Sequence, residues 1–493
     1  MKKVIIIGGG VAGLSAGVYA QKCGFDVTVL ESHSIAGGNC TSWKRNGYLF
    51  EGGMHWLTGS GKNEPIYKLW RHIGALDDGV EILYPEPFIE YDYQGTLVRL
   101  YRNVDATENH LIELAPEDEK EIRNLCDNIR KVQNLAMPVS NVRGVKVTKR
   151  TLPPISQISS GLSALGLMRA FSRITRDDYA NRFTHAGIRD LINASTNDKS
   201  GVIPIFFTMG TLARGDGGFP VGGSLPFIDR ITKTFAGLGG KILFNTRVNR
   251  VVVEQGRATG VIAGKEFLSS DAVIISVDTM TVDKLFEAPL QADWLDSMRT
   301  TTEPTMNMLL CLGVNSNLKK YPKTAVFKLN KPIIFATQNY EYLGVNNYAD
   351  DPVYSPEGKT AMTISLGGDT YDFWKKAKEE DRYAAEKQKL ADIVIEALTT
   401  QIPEIEGQIE VCDIATPLTY ERYCGNWKGS WMTEMTPSMK MKEYPSAIKG
   451  LSGVYFAGQR IMPPGGLPVA LMSGRTAVQY LCRDTNTVFV SED

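Results

Sequence analysis

Three glycines set out the first chemistry of this chain. Gly8, Gly10 and Gly13 stand in the spacing G-x-G-x-x-G directly after the apolar run Val4-Ile5-Ile6-Ile7, and such β-branched runs suit a buried strand of a parallel sheet. Glycine at 8 suits a tight turn, at 10 it lets backbone approach a pyrophosphate, and at 13 it lets a following helix press on the strand. After Val11, a helix is expected over about Ala12 to Lys22, and its first N–H groups and positive dipole end would face the phosphates. A second strand, 27–30, ends at Glu31. A carboxylate there can accept both ribose hydroxyls of an adenosine and would repel a 2′-phosphate. Strand, glycines, helix, strand and terminal acid in one unit predict a dinucleotide site, against the plainer reading of a glycine-rich turn.

Two further glycine clusters bear on the same ligand. Gly37 and Gly38 would bring backbone amides to the pyrophosphate from its other side. Near the C-terminal end, Gly453-Val454-Tyr455-Phe456-Ala457 reads as a strand with Gly458 and Gln459 at its tip, and Pro463-Pro464-Gly465-Gly466-Leu467 leads into a helix from about Pro468 to Cys482. A helix N-terminus behind two glycines can aim N–H groups at an electron-rich ring edge. His55, beside Trp56 after the turn at Gly52-Gly53, is the one catalytic candidate. Its plainer role is packing.

Composition narrows the class. Of 493 residues, 54 are Lys or Arg and 55 are Asp or Glu, so no overall charge favours nucleic acid as a partner. The seven cysteines are scattered and contain no C-x-x-C, which predicts reduced thiols with neither a disulfide framework nor a metal site. No run approaches the ~18–20 apolar residues of a membrane span. The apolar start is too short for a signal peptide and belongs to the first strand. The expectation is a cytoplasmic protein, at most peripheral at the inner face of a membrane.

Stepping along the chain, the elements that position these residues come in pieces. A nucleotide domain is expected from 1–70, 220–285 and 445–493, interleaved with a substrate domain from 71–219 and 286–444 that carries a helical lid. The fold class is α/β, a Rossmann-like domain with a mixed α+β partner. Within the second domain a charged helix is expected over 375–402. Residues 128–176 hold nine cations (Arg130, Lys131, Arg143, Lys146, Lys149, Arg150, Arg169, Arg173, Arg176) and no Asp or Glu. Ile155, Ile158, Leu162, Leu165, Met168, Phe171 and Ile174 recur there at helical spacing. That combination predicts a lid lying on an anionic membrane surface, against an ordinary lid with a solvated basic face.

The chain resembles the flavin-dependent phytoene desaturase, carotenoid isomerase and retinol saturase family, a branch of the amine-oxidase-like flavoproteins. The blocks that carry the resemblance are GGGVAGLSAG at 8–17, GGNCTSW at 37–43, FEGGMHWLTG at 50–59, FPVGGSLPFIDRI at 219–231, ATPLTYERY at 415–423 and VYFAGQRIMPPGGLPVALMSG at 454–474. They span nearly the whole chain. The resemblance implies FAD held by Gly8, Gly10, Gly13, Glu31, Gly37 and Gly38, with Val248 at the adenine and the helix after Gly466 over the N1/C2 side of the ring. Family members usually have an acid at the position of Gln459; an amide can still bond a ribityl hydroxyl. The implied activity is hydride exchange between flavin N5 and a lipophilic polyene or isoprenoid, ending in desaturation, saturation or isomerisation. An amine oxidase and a non-catalytic carrier of prenyl or lipid groups on the same fold are the alternatives. No acid–base constellation stands out.

Overall fold

Residues 4–7 are apolar without alternation because layers cover both faces of the strand they form. The computed structural model describes residues 1–149, 155–196, 200–437 and 442–491, with backbone alone at 155–160 and 162. Strands β1 (Lys3–Ile7), β2 (Asp26–Leu30), β3 (Lys241–Leu243), β4 (Ala272–Ile275) and β5 (Val454–Phe456) make one sheet in the order β5-β4-β1-β2-β3. Every pairing is parallel, with Val4 opposite Val27 and Ala272, and Ile275 opposite Ile7 and Phe456. On one face Val4, Ile6, Val27 and Val29 share a core with helices α1 (Val11–Lys22), α2 (Ser224–Gly237) and α3 (Leu467–Asp484). On the other, Ile5, Ile7, Val273, Ile275 and Phe456 pack on Val251 and Val261 of an antiparallel three-stranded sheet (Val248–Glu254, Arg257–Ala263, Glu266–Ser269).

Glycine sets how closely α1 meets its neighbours. A Cβ on Gly17 would lie 2.9 Å from the Phe235 ring of α2, and one on Gly474 of α3 would lie 2.3 Å from the Ala12 carbonyl. Ser15 Oγ donates to Leu471 O at 2.8 Å across the second contact. These close approaches fix both helices against the one that begins at the glycine turn.

A second sheet of seven strands runs in the order Ile409–Ala415, Asn307–Val314, Thr360–Gly367, Gln338–Asn347, Thr324–Phe335, Ile89–Tyr93, Thr96–Leu100. Asn307–Val314 is buried at every residue. Leu310 and Leu312 face the helix Tyr383–Thr399 through Leu390, Val394 and Leu398. Leu309 and Cys311 face Tyr48 and Phe50 of the hairpin Ser42–Arg45/Tyr48–Glu51. The charged helix expected over 375–402 is two helices, Tyr371–Glu379 and Tyr383–Thr399, because Asp381 between them takes a φ of 56°.

The cationic stretch 128–176 departs from expectation. Arg130 pairs with Asp105 and Glu108 at 2.6 Å and with Asp127 at 3.1 Å. Arg176 is buried, paired with Asp177 and bonded to the carbonyls of Asn193 and Thr196. Residues 138–149 do not belong to a lid: Arg475 of α3 donates to Ser140 O and Asn141 Oδ1, Val142 N donates to Gln479 Oε1, and Val147 bridges Phe489. The helix Ile155–Phe171 buries Ala164 and Leu167 in a helical core that Met168, Phe171 and Ile174 also join. Leu165, 64% exposed, stands out with Arg169 and Arg173. The compensating acids come from an earlier helix (Asp105, Glu108) and from just outside the two ends of the segment (Asp127, Asp177), so a count along the segment misses them. Arg150 and the side chains of Ile155, Ile158 and Leu162 lie outside the described residues.

Replacing Gly474 by Ala should force α3 off α1 and destabilise the protein by about 1–3 kcal/mol. Gly237→Ala, in α2 with nothing within 4 Å of the added methyl, is the matched control and should cost nothing. Paired thermal melts check the difference.

Candidate functional site

β1 ends at Ile7, and Gly8 turns the chain with φ +102°, its N–H donating to Leu30 O at 2.9 Å. Ser276, just past β4, donates its hydroxyl to the carbonyls of Ile7 and Gly8 at 2.8 and 2.9 Å. A Cβ on Gly13 would lie 2.0 Å from Gly8 O, so glycine is required there by packing alone. Gly10 is different. Its backbone is ordinary (φ −72°, ψ 177°), and a Cβ there would have no protein atom closer than 3.8 Å. The protein has no packing need for glycine at 10; the open space beside it is what a pyrophosphate would fill. The amides of Val11 and Ala12, first in α1, have no partner within the helix by construction and face the same end. Gly37 N donates to Gly9 O at 2.9 Å and Gly37 bridges Gly10, so the second glycine pair sits against the first.

Glu31 follows β2 and is 8% exposed. Its Oε2 accepts Gly9 N at 2.6 Å and its Oε1 accepts His33 N at 2.8 Å. Those bonds aim the carboxylate from the glycine turn and leave acceptor sites on both oxygens for a ribose. Val248 begins the three-stranded sheet and packs with Ile5, Ile7 and Leu30.

At the opposite end, Gly458 (φ +133°) donates to Ser473 Oγ at 2.9 Å. Gln459 Oε1 accepts Gly466 N at 3.2 Å, so its carbonyl oxygen braces the Gly465-Gly466 turn; its amide nitrogen has no partner among the described residues. Gly466 caps α3, whose first residue is Leu467.

Three positions not singled out in the sequence hold the parts together. Glu51, fully buried, accepts from Gly53 N, Met54 N and Ser224 Oγ on Oε1, and from Ser42 Oγ, Ser224 N and Tyr354 OH on Oε2. An acid closing an apolar strand just before two glycines was its one visible signal. Arg460 and Asp278 form a buried pair at 2.8 Å, and Asp278 also accepts Trp427 N while Arg460 reaches Ser430 and Thr433. This joins the ends of β4 and β5 to residues 427–433. Nothing local in sequence announces a partner that far away.

His55 lies edge-on to Trp431, ring centroids 6.3 Å apart. Its Nδ1 and the Trp431 Nε1 are buried without partners among the described residues. Burial lowers the imidazole pKa; Glu51 opposes this and the charge of Lys323 adds to it. Lys323, one residue before Thr324–Phe335, sets its ammonium 3.7 Å from the centroid of Tyr348, with Phe219 at 5.2 Å and Tyr354 at 5.8 Å. Burial brings this amine down to about 8, against the fields of Asp351, Glu51 and Asp350. The Cys40 thiol, buried by Ser224, is pushed up to about 12 and is no nucleophile at neutral pH. A separate cavity of about 890 Å³ is lined by charged residues such as Lys62, Asp77, Arg102 and Arg130 and by none of the residues of the glycine turn or the 458–467 loop.

A five-stranded parallel sheet with a glycine turn after β1, a buried acid after β2 and a second glycine turn after β5 is the arrangement of a dinucleotide-dependent oxidoreductase. The chain belongs to the flavin-containing amine oxidoreductase family, whose pattern matches residues 11–482. Its cofactor is FAD. It is similar to 4,4′-diaponeurosporene oxygenase of Staphylococcus aureus, 23% identical over 96% of this chain and 97% of that protein. It is also similar to all-trans-retinol 13,14-reductase of Danio rerio, 22% identical over 86% of this chain and 76% of that protein. Among solved structures, an oxidoreductase from Methanosarcina mazei shares the fold with a TM-score of 0.60 at 18% identity, covering 97% of this chain and 100% of that one.

Replacing Gly10 by Ala should leave the melting of FAD-free protein within about 0.5 kcal/mol of wild type. The same change should weaken FAD binding tenfold or more, because the methyl takes the pyrophosphate's space. Flavin content after dialysis, set against melts of the stripped protein, separates the two effects.

Proposed function

We propose that this FAD oxidoreductase acts on a lipophilic polyene or isoprenoid and changes its C=C bonds by desaturation, saturation or isomerisation. What carries the reading is the likeness, over most of the chain, to two proteins whose names state a diaponeurosporene and a retinol substrate. The site supports it against an amine substrate. Glu51 spends both oxygens on donors of this chain, and the Lys323 ammonium beside His55 would repel a protonated amine. Bound FAD supplies hydride exchange with a substrate carbon at N5. The chain's residues do the rest. Gly8, Gly10, Val11, Ala12, Gly13, Gly37 and Gly38 bind the pyrophosphate, Glu31 orients the ribose, and Val248 flanks the adenine. Gly458 and Gln459 shape the turn beside the ribityl chain, and the α3 N-terminus at Gly466 and Leu467 offers amides to the ring edge. His55 and Trp431 line the substrate side and keep water out.

We assign the nucleotide domain to 1–70, 220–285 and 445–493, and the substrate domain to 71–219 and 286–444. That β1, β4 and β5 share a sheet supports this division. Among the described residues no helix is long and apolar enough to cross a membrane. Access to the substrate is through peripheral contact at Leu165, Arg169 and Arg173, three exposed residues at the C-terminal end of the cationic segment.

Mass spectrometry of lipid extracts from cells with and without the protein tests the substrate. A polyene or isoprenoid pair differing by two hydrogens, or by geometry at one double bond, should depend on the protein. A change confined to amines would end the reading. In flotation with anionic vesicles at low salt the protein should rise, the binding should fade at high salt, and Arg169→Glu with Arg173→Glu should abolish it. Binding unaffected by that charge reversal would remove the membrane contact.

A further inference from the structure

Lys323 is costly where it stands. An ammonium on aromatic faces, with no hydrogen-bond or ion-pair partner among the described residues, loses hydration that cation–π contact returns only in part. The nearest carboxylates do not pair with it. Glu51 is spent on backbone and hydroxyl donors, and Asp351 accepts Gly222 N and Val353 N at 2.8 and 3.0 Å. Close enough to feel its charge lies His55, whose Nδ1 is buried and unpartnered, edge-on to Trp431, whose Nε1 is buried and unpartnered too. A buried polar group without a partner in the chain needs one from elsewhere, a ligand or a water.

We propose that Lys323, with Trp431 and His55, reads a neutral oxygen, a hydroxyl or carbonyl, at one end of the otherwise apolar substrate. This rests on the polyene reading above and adds a specificity site to it. The ammonium and the indole N–H are donors, and neutral imidazole can donate or accept, so an oxygen with free lone pairs satisfies them. A carboxylate is excluded by the company: Glu51, Asp350 and Asp351 all act on the same ammonium, and a further anion would meet their repulsion. A bare hydrocarbon end leaves the donors unpaired. Loss of a buried hydrogen-bond partner discriminates far more strongly than loss of a methylene.

The charge state gives an independent signature. The groups around Lys323 are Glu51, Asp350, Asp351, His55, Tyr348 and Tyr354, and burial brings the amine to about 8. As pH rises through 8 the folded protein loses this proton while the unfolded chain, with an ordinary lysine, keeps it. The unfolded state then binds more protons, so this group's contribution to stability rises with pH between about 8 and 10. Binding of a polar-ended ligand should weaken over the same interval.

The test uses FAD-loaded full-length protein and three probes on one skeleton: all-trans-retinol, its hydrocarbon counterpart without the hydroxyl, and all-trans-retinoic acid. Binding is followed by perturbation of the flavin spectrum. Wild type should prefer the alcohol to both others by about tenfold, with the preference fading from pH 7 to 9.5. Lys323→Met should remove the preference, keep the FAD content, and raise the melting temperature at pH 7. Trp431→Phe should reduce the preference in part, and Lys323→Arg should retain most of it. An alcohol-to-hydrocarbon ratio unchanged in Lys323→Met overturns the proposal, as does tighter binding of the acid. If no probe perturbs the wild-type flavin, the polyene reading fails and takes this assignment with it.

Discussion

One carboxylate holds the working half of this molecule together. Glu51 sits at the end of a buried strand with no water to share its charge, so every acceptor position must be filled by the chain itself. The donors arrive from four places: Ser42 on the paired strand, the turn at 53–54, Ser224 at the head of α2, and Tyr354 from the loop after the Gln338–Asn347 strand. Two belong to the segment that follows the dinucleotide turn, one to a helix against the parallel sheet, and one to a loop joining two strands of the seven-stranded sheet. Buried charge is tolerated here because hydrogen bonds to an ionised acceptor are strong and numerous. The arrangement also explains the glycines beside it. A Cβ on Gly223 would fall 2.1 Å from Tyr354 OH and 2.2 Å from Glu51 Oε2, and one on Gly53 would fall 1.9 Å from Asn39 O.

The Arg460–Asp278 pair plays the matching part at the carboxyl ends of β4 and β5. It gathers residues 427–433 and 458–461 around two strands that come from distant parts of the chain. Between these two buried anchors lie His55 and Trp431. The site is therefore defined less by its own side chains than by two charged clamps that decide where the loops carrying them can go. Asn426, donating to Asn39 at 2.7 Å, ties the two loop systems directly.

The nucleotide half was legible because its signals are local. A β-branched run, glycines at fixed spacing and an acid ending the next strand each follow from the geometry of one βαβ unit, and β1, α1 and β2 form over those residues. The lid was misread for the opposite reason. Arg130 looked uncompensated because Asp105 and Glu108 stand on another helix, and 138–149 was counted with the lid because its partners, Arg475 and Gln479, come more than three hundred residues later. The apolar repeat through Leu165 was real as a helix, but a lone period cannot say which of its members meet a core; Leu167 does and Leu165 does not. Lys323 was invisible altogether. Its meaning depends on Phe219, Tyr348 and Tyr354, which only the fold brings to it.

The strand order of the parallel sheet has a consequence for how the chain is made. β1 and β2 leave the ribosome well before the strands that complete their sheet: the open side of β1 waits for residue 272, and the open side of β4 waits for residue 454. Until then a row of unpaired amides and carbonyls on an apolar strand is bare, the condition under which nascent chains pair wrongly or recruit chaperones. Synthesis at roughly 5–20 residues per second makes that exposure last tens of seconds. A sheet that takes its edge strands so late in the chain keeps an apolar strand edge open through most of its own synthesis.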